Sequence, residues 1–420
     1  MQPVIGIDFG TTNSVITALR PDGTAETLAR DTGEVFRSVL CFWSDPRGGA
    51  MRHAAGPAGI EAYLEEPLAS RLVMSMKSYL AQRSFTETRI FGRRFTLESL
   101  VALFLRELLA PFGEALQGAR VVVGRPVRFV GANPASGGAD DAFGETRLRA
   151  AFAAAGLPEV AVALEPAAAG QRFAAGIDRP STVLVGDFGG GTSDFSVMRF
   201  DPGPPATVTA LGHAGVGLAG DAFDTRIIDR VVSPRLGKGD EYRVMGKPLP
   251  VPPAWYASFA RWHQLPLMRG PKTLRDIADV ARTADHPERL HRLIRLIEDE
   301  AGYALYRAVS SAKAALSSAE STVLTFQHED FTIEAPIARA DFESWIAPDL
   351  ARMEAAVDAA LADAGIRPEG VDRVFLTGGT SLVPAVRALF ARRFGEERIF
   401  GGGEFVSVAE GLALMGRDAA

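Results

Sequence analysis

The chain has one cysteine, Cys41, in 420 residues. That excludes an internal disulfide and a cysteine-built zinc cluster, and it points to a reducing, cytoplasmic setting. Lysine is nearly as scarce: five of the 45 basic residues are Lys77, Lys238, Lys247, Lys272 and Lys313, and the rest are arginine. There is no basic surplus, the formal charge being −6, so no nucleic-acid partner is expected. Long apolar runs are missing too. The longest, near Leu100–Leu109, is broken by Arg106 and Glu107, far short of the roughly 18 residues of a membrane span. MQPVIGIDFG lacks a basic leader region and reads as a strand rather than a signal peptide. No membrane partner is expected. The six histidines have no HExxH or CxxC spacing, and no GxSxG elbow occurs. GxxxxGK[ST] is also missing, since Gly237-Lys238 runs into Gly239. What is present is ordinary globular composition, 47% hydrophobic and 23% charged, long enough for two to three domains.

Val4–Phe9 reads as a buried strand entering a Gly10-Thr11-Thr12-Asn13 turn, with Ser14–Leu19 returning and Asp22-Gly23 marking a further turn. Helices are predicted over 71–82, 97–112 and 145–155, with an exposed loop over 133–141. Ser181–Asp187 then repeats the opening theme. A strand ends in an aspartate, Gly189-Gly190-Gly191-Thr192 follow, and Phe195–Phe200 returns. The spacing predicts a diverged internal repeat and two α/β lobes of similar build. Further on, 221–232 is helical, 247–253 is a Pro-rich loop, and helices cover 286–318, 341–364, 382–394 and 406–415, with a strand at 371–377.

The chemistry concentrates in three turns. In Asp8-x-Gly10-Thr11-Thr12, glycine lets backbone N–H groups approach a phosphate, threonine hydroxyls donate to it, and a strand-end carboxylate can hold hydrated Mg²⁺. Ordinary hairpin chemistry explains the same residues. Asp187-x-Gly189-Gly190-Gly191-Thr192-x-Asp194 is more specific, because three consecutive glycines are entropically costly and no simple turn requires them. Gly378-Gly379-Thr380 follows a strand and opens a helix, where free N–H groups can receive a phosphate or sugar oxygen. Gly215-Val216-Gly217-Leu218-Ala219-Gly220 fits the dinucleotide pattern GxGxxG, but nothing before it completes a mononucleotide-binding half.

With these residues in view, the chain resembles the ATPase domain of the 70-kDa heat-shock (DnaK-type) chaperones. Ile5–Ser14 is similar to that family's first phosphate loop, and Gly186–Asp194 to its second. Glu165–Ala169 is similar to the connecting segment, and Phe375–Pro384 to the adenosine motif. Leu218–Asp224 resembles the loop opening the second-lobe subdomain, a better home for the GxGxxG match. The likeness is closest to short YegD-type relatives of DnaK, without a peptide-binding domain. It implies the actin-like ATPase fold: ribonuclease H-like duplicated lobes with nucleotide in the central cleft. Lobe I is expected at 1–178 (core 1–36 and 118–178, peripheral subdomain 37–117) and lobe II at 179–403 (core 179–223 and 320–403, peripheral subdomain 224–319). The helix in 404–420 should return to lobe I.

Position by position, the resemblance implies that Asp8 and Asp187 hold hydrated Mg²⁺, while Asp194 orients the attacking water and Glu165 lies near it. Gly10, Thr11, Thr12, Asn13, Gly189, Gly190, Gly191 and Thr192 would surround the phosphates, and Lys77 would meet the γ-phosphate. A compact ammonium suits a single phosphate oxygen, which gives a lysine in so arginine-rich a chain a physical reason. Gly220, Asp221, Lys313, Ser317, Gly378, Gly379 and Thr380 would line the nucleoside side. The expected cofactors are ATP/ADP and Mg²⁺, with K⁺ as a further candidate. The expected partners are nucleotide and an unidentified protein partner or client. The base clamp is altered: Ser310, Ala314, Leu382 and Phe405 stand where the family has glutamate, arginine, arginine and aspartate. Weaker or less selective adenine binding and faster release are therefore expected. An ATP-hydrolysing chaperone or regulatory switch is the first functional expectation. The alternative is an actin-fold small-molecule (sugar-type) kinase, which needs a substrate-pocket aspartate that no motif supplies. A filament-forming relative and a GxGxxG oxidoreductase rank below.

Overall fold

The computed structural model describes residues 2–31, 33–44, 50–66, 69–129, 132, 139–174, 179–202, 207–260, 268–299, 301–329, 331–401 and 406–418. The chain divides into two compact units: Met1–Gly220 with Leu350–Ala420, and Asp221–Asp349. In the first, the elements run β1 (Val4–Phe9), β2 (Asn13–Leu19), β3 (Ala25–Thr27), β4 (Phe36–Arg37), β5 (Val39–Ser44), β6 (Met51–Ala55), α1 (Gly56–Glu65), β7 (Ser70–Met74), β8 (Glu87–Ile90), β9 (Arg93–Thr96), α2 (Leu97–Leu109), α3 (Gly113–Leu116), β10 (Arg120–Arg125), α4 (Ala139–Ala154), β11 (Val160–Leu164), α5 (Glu165–Ala174), β12 (Ser181–Phe188), β13 (Ser193–Asp201) and β14 (Thr207–Val216). The second unit carries α6 (Gly220–Ile227), β15 (Glu241–Val244), β16 (Lys247–Pro250), α7 (Pro253–Phe259), α8 (Pro271–Ala281), α9 (Pro287–Glu298), α10 (Gly302–Leu316), β17 (Ser321–His328), β18 (Phe331–Ala338) and the start of α11 (Arg339–Asp363). The first unit resumes with β19 (Arg373–Thr377), α12 (Pro384–Phe394), β20 (Ile399–Gly401) and α13 (Ser407–Asp418).

The expected repeat is present as topology. One sheet has the order β11-β10-β1-β2-β3, with β4 also on β2; the other has the order β14-β13-β12-β19-β20. In each, three antiparallel strands are followed by two parallel ones added to the strand that ends in the aspartate: β10 on β1 and β11 on β10, β19 on β12 and β20 on β19. The duplicated α/β plan is that of the actin-like fold.

One core cluster contains Val122 of β10, Ala168 and Ala169 of α5, Val183 and Val185 of β12, Phe375 of β19, and Val408 and Leu412 of α13. Helices α5 and α13 thus belong to the same apolar core as strands of both sheets, and each fully buried aliphatic side chain contributes about 1.5–3 kcal/mol. Their approach depends on small residues. A Cβ at Gly411 would lie 1.7 Å from the Ala168 carbonyl oxygen, and one at Gly6 would lie 2.2 Å from that of Ala409.

In the second unit, Arg226 forks onto Asp349 at 2.8 and 3.0 Å, and β18 alternates buried and exposed residues with Phe331, Ile333, Ala335 and Ile337 inward. Among the described residues no helix is long and apolar enough to cross a membrane.

Three sequence expectations need correction. The helix over 71–82 is strand β7 followed by a 3₁₀ turn at Met76–Tyr79. Its apolar spacing fits a helical face, but antiparallel pairing with β5 decides the outcome. Residues 139–141 of the expected loop open α4, while 133–138 lie outside the described residues. The Pro-rich loop at 247–253 is mostly the hairpin β15–β16 leading into α7.

Candidate functional site

In the first hairpin, Asp8 stands opposite Val15 and Phe9 opposite Ser14, leaving Gly10–Thr12 as the tip. The tip is held from the side: Ser38 N–H donates to the Thr12 carbonyl at 2.9 Å, and Arg37 donates to Asn13 Oδ1 at 3.1 Å. In the second hairpin, Asp187 lies directly opposite Asp194, and Gly189 N–H closes the loop on the Thr192 carbonyl at 2.8 Å. A Cβ on Gly191 would meet nothing within 4 Å, and its φ is not in the left-handed range. The protein itself therefore has no steric need for glycine there; the loop simply leaves open space. At Gly378 the need is explicit, because φ is 86° and a Cβ would lie 2.0 Å from the Phe188 carbonyl oxygen. That contact lays the third loop against the end of β12.

Two further segments complete the cluster. Ile7 pairs with Val123 and Leu164 with Arg125, so Asp8 and Glu165 leave the first sheet at the same carboxyl edge. Ser75 adopts a left-handed φ of 54°, which ends β7 and turns Lys77 inward. Lys77 Nζ meets Glu165 Oε1 at 2.5 Å, and both residues are 7% exposed. The turn carrying Lys77 is gripped by α4. Arg147, buried and paired with Glu98 at 2.5 Å, reaches the carbonyls of Tyr79, Leu80 and Gln82 at 3.4 to 3.5 Å. Glu165 lies where a Cβ on Gly124 would collide at 2.9 Å, and Asp194 Oδ1 lies 2.5 Å from where one on Gly215 would be. The first glycine of the GxGxxG stretch therefore makes room for an acid.

Four carboxylates share one ammonium, and the protonation of the three aspartates and the lysine reflects it. Burial pushes Asp8 up to about 7, with Glu165 adding to the rise and Lys77 opposing it. Asp194 also rises to about 7, through burial and Glu165, against the Thr192 hydroxyl, Lys77 and Arg128. Asp187 is raised well above the usual carboxylate range by burial, then by Glu165, Asp8 and Asp194. Burial alone would lower Lys77, but Glu165, Asp8 and Asp187 hold it above the ordinary lysine value. A carboxyl that binds its proton more tightly when folded stabilises the fold most below its unfolded value, and that contribution is lost as pH rises through the folded one. The thermal midpoint of the nucleotide-free protein is therefore predicted to fall between about pH 4 and about pH 7 more steeply than in an Asp8→Asn/Asp194→Asn variant, by the equivalent of several kcal/mol. Equal slopes in the two proteins would contradict it.

Asp8, Lys77, Glu165, Asp187 and Asp194 thus come together in the first unit, with Gly10–Asn13 and Gly189–Thr192 at the hairpin tips and Gly378–Thr380 beside β12. Gly220 ends the first unit, while Asp221, Lys313 and Ser317 fall in the second. There Lys313 Nζ pairs with Asp224 at 2.9 Å, Tyr306 donates to Asp221 at 3.3 Å, and Ser317 ends α10. Ser310 and Ala314 lie on α10, Leu382 is 50% exposed, and Phe405 lies outside the described residues. Sequence inspection alone passes over Arg37, Arg147 and Arg128. The available signal for Arg128 is its position just past the carboxyl end of a parallel strand, where α/β sheets place ligand contacts.

The Hsp70 protein family model matches residues 143–238 and 292–417, more than half of the chain. The chain is 27% identical over 426 residues to chaperone protein DnaK of Thermosipho africanus, covering 98% of this chain and 58% of that protein. It is 28% identical over 403 residues to chaperone protein DnaK of Thermotoga petrophila, covering 94% and 56% respectively. It therefore spans a little over half the length of these relatives. The matched segments hold Glu165, Asp187, Asp194 and the Gly378 turn, and the longer alignments extend over nearly the whole chain. Duplicated sheet topology, acid-tipped hairpins and these matches agree: the chain belongs to the Hsp70 family and carries that family's actin-like ATPase fold.

Proposed function

We propose that the protein binds magnesium-chelated ATP at the paired hairpins and hydrolyses its γ-phosphate slowly, the cycle acting as a chaperone-type switch on a protein partner or client in the cytoplasm. The observation that carries this reading is the gathering of Asp8, Asp187 and Asp194 of the duplicated hairpins with Glu165 and Lys77 from two neighbouring segments. Such a cluster is unfavourable until a cation completes it, and perturbed acids of this kind mark functional sites.

Asp8 and Asp187 would hold Mg²⁺, which when bound supplies positive charge to the β- and γ-phosphate oxygens and orders water. K⁺ is a second candidate cation. Backbone N–H groups of the two tips, with the Thr11, Thr12 and Thr192 hydroxyls, donate to phosphate oxygens. The open space at Gly191 admits the phosphates closely. Asp194 accepts a hydrogen bond from the attacking water, and Glu165 keeps Lys77 extended toward the terminal phosphoryl group. Gly378, Gly379 and Thr380 meet the α-phosphate and ribose. The roles of Gly220, Asp221, Lys313 and Ser317, and the lobe boundaries at 178/179 and 403/404, are carried over from the family resemblance.

Phosphate release from ATP and from GTP, with and without added sugars, tests the reading. ATP should be hydrolysed at a rate that sugars leave unchanged. Sugar-dependent ADP formation without free phosphate would instead identify a kinase. Because Ser310, Ala314 and Leu382 stand where the family resemblance expects a glutamate and two arginines for the base, ATP should be favoured over GTP by less than about tenfold, about 1.4 kcal/mol. Calorimetry showing nanomolar, ATP-only binding would contradict that expectation.

A further inference from the structure

The first sheet sends another cation to the phosphate end of the site. The chain leaving β10 emerges at the same carboxyl edge as Asp8 and Glu165, because Ile7 pairs with Val123 and Leu164 with Arg125. Arg128 lies three residues beyond that edge. Its backbone is anchored on both sides. Phe129 N–H donates to Asp141 Oδ1 at 2.7 Å, and the Phe129 ring occupies the space left by Gly144, where a Cβ would lie 2.8 Å from it. Arg125 pairs with Glu145 at 3.2 Å and donates to the carbonyls of Pro126 and Val127 at 3.3 and 3.4 Å. The same helix, α4, therefore holds both this segment and the turn that carries Lys77.

The Arg128 side chain is exposed, and among the described residues it makes no hydrogen bond or ion pair. Its charge is the weakest of those that oppose the rise of the buried Asp194 carboxyl on the second hairpin. A solvated surface arginine would account for the exposure, but not for a segment anchored to α4 where it leaves the edge between β1 and β11 that also carries Asp8 and Glu165, a cluster with Lys77 as its lysine.

We infer that Arg128 is a second phosphate-binding cation, whose guanidinium contacts the terminal phosphoryl group of the bound nucleoside triphosphate and stabilises the charge it develops during hydrolysis. This assignment rests on the nucleotide-hydrolysing reading of the site. In that step the water oxygen bonds to the γ-phosphorus. The bond from phosphorus to the β,γ-bridging oxygen breaks with its electron pair staying on ADP, and a water proton passes to a cleft carboxylate and on to phosphate. A planar guanidinium can span two phosphoryl oxygens, which the compact Lys77 ammonium, committed to Glu165, cannot.

The test compares the full chain with Arg128→Ala and Arg128→Lys, using calorimetric affinities for Mg·ATP and Mg·ADP and single-turnover phosphate release. Arg128→Ala should slow release by about 10- to 100-fold. It should weaken ATP by about tenfold while changing ADP by less than about threefold. Arg128→Lys should recover part of the rate, and melting temperatures should stay level because the side chain is exposed. An unchanged rate and ATP-to-ADP ratio in Arg128→Ala would overturn the assignment, as would equal losses for both nucleotides. Failure of the unmutated chain to bind either nucleotide would instead overturn the reading beneath it, and this one with it.

Discussion

An Asp187→Asn variant should release phosphate at least about 10²-fold more slowly than the parent chain, yet melt at a higher temperature without nucleotide. The two effects share one cause. Asp187 is pushed up by burial and by Glu165, Asp8 and Asp194, so its ionised form burdens the empty protein. Asparagine keeps the shape and removes the charge, which relieves that burden. The same change deletes a proposed ligand to Mg²⁺, and loss of preorganised charge stabilisation costs on the order of 10² or more in rate. Thermal melts and phosphate release on one preparation check both halves. A variant that is slower but less stable than the parent would refute the electrostatic account of the cluster.

Lys77→Ala should lose activity to a similar degree but shift stability the other way. Lys77 and Glu165 are both nearly inaccessible and meet at 2.5 Å. Removing one partner of a buried pair leaves an uncompensated charge, at a cost of about 3–5 kcal/mol. Here the stranded carboxylate also faces Asp8 and Asp187. The nucleotide-free variant is therefore expected to unfold at clearly lower denaturant concentration. Adding Glu165→Ala should restore much of the stability and none of the activity. If the double variant is no more stable than Lys77→Ala, the loss comes from packing rather than from the orphaned acid.

The features legible in the sequence are those encoded locally. A β-branched strand closing on aspartate, then glycine and threonine, marks both hairpins without knowledge of their surroundings. The topological repeat follows from seeing that pattern twice. What escaped detection depends on distant pairing. Residues 71–82 read as helical from their apolar spacing, but Ser70–Met74 become a strand because Val39–Ser44 offers an edge. Lys77 is marked by the family resemblance, but its contact with Glu165, 88 positions away, is not legible in the sequence. Gly215 reads as part of a dinucleotide turn until Asp194 is found packed over it. Arg128 looks like any surface arginine until β10 is placed between β1 and β11.

The site combines high local cost with a rigid frame. Glycines at positions 6 and 411 let α13 lie tightly against β1 and α5, and the frame holds four acids closer than water would favour. A folded domain has only about 5–15 kcal/mol in reserve, so tolerating this cluster is a substantial sacrifice in the empty protein. Binding of a chelated cation would return it through mass action.

The most direct test is a crystal structure of the chain with Mn²⁺ in place of Mg²⁺ and a non-hydrolysable ATP analogue. Anomalous density should appear beside Asp8 and Asp187, with the β- and γ-phosphates against residues 10–12 and 189–192. Metal or phosphates located away from those two tips would contradict the account.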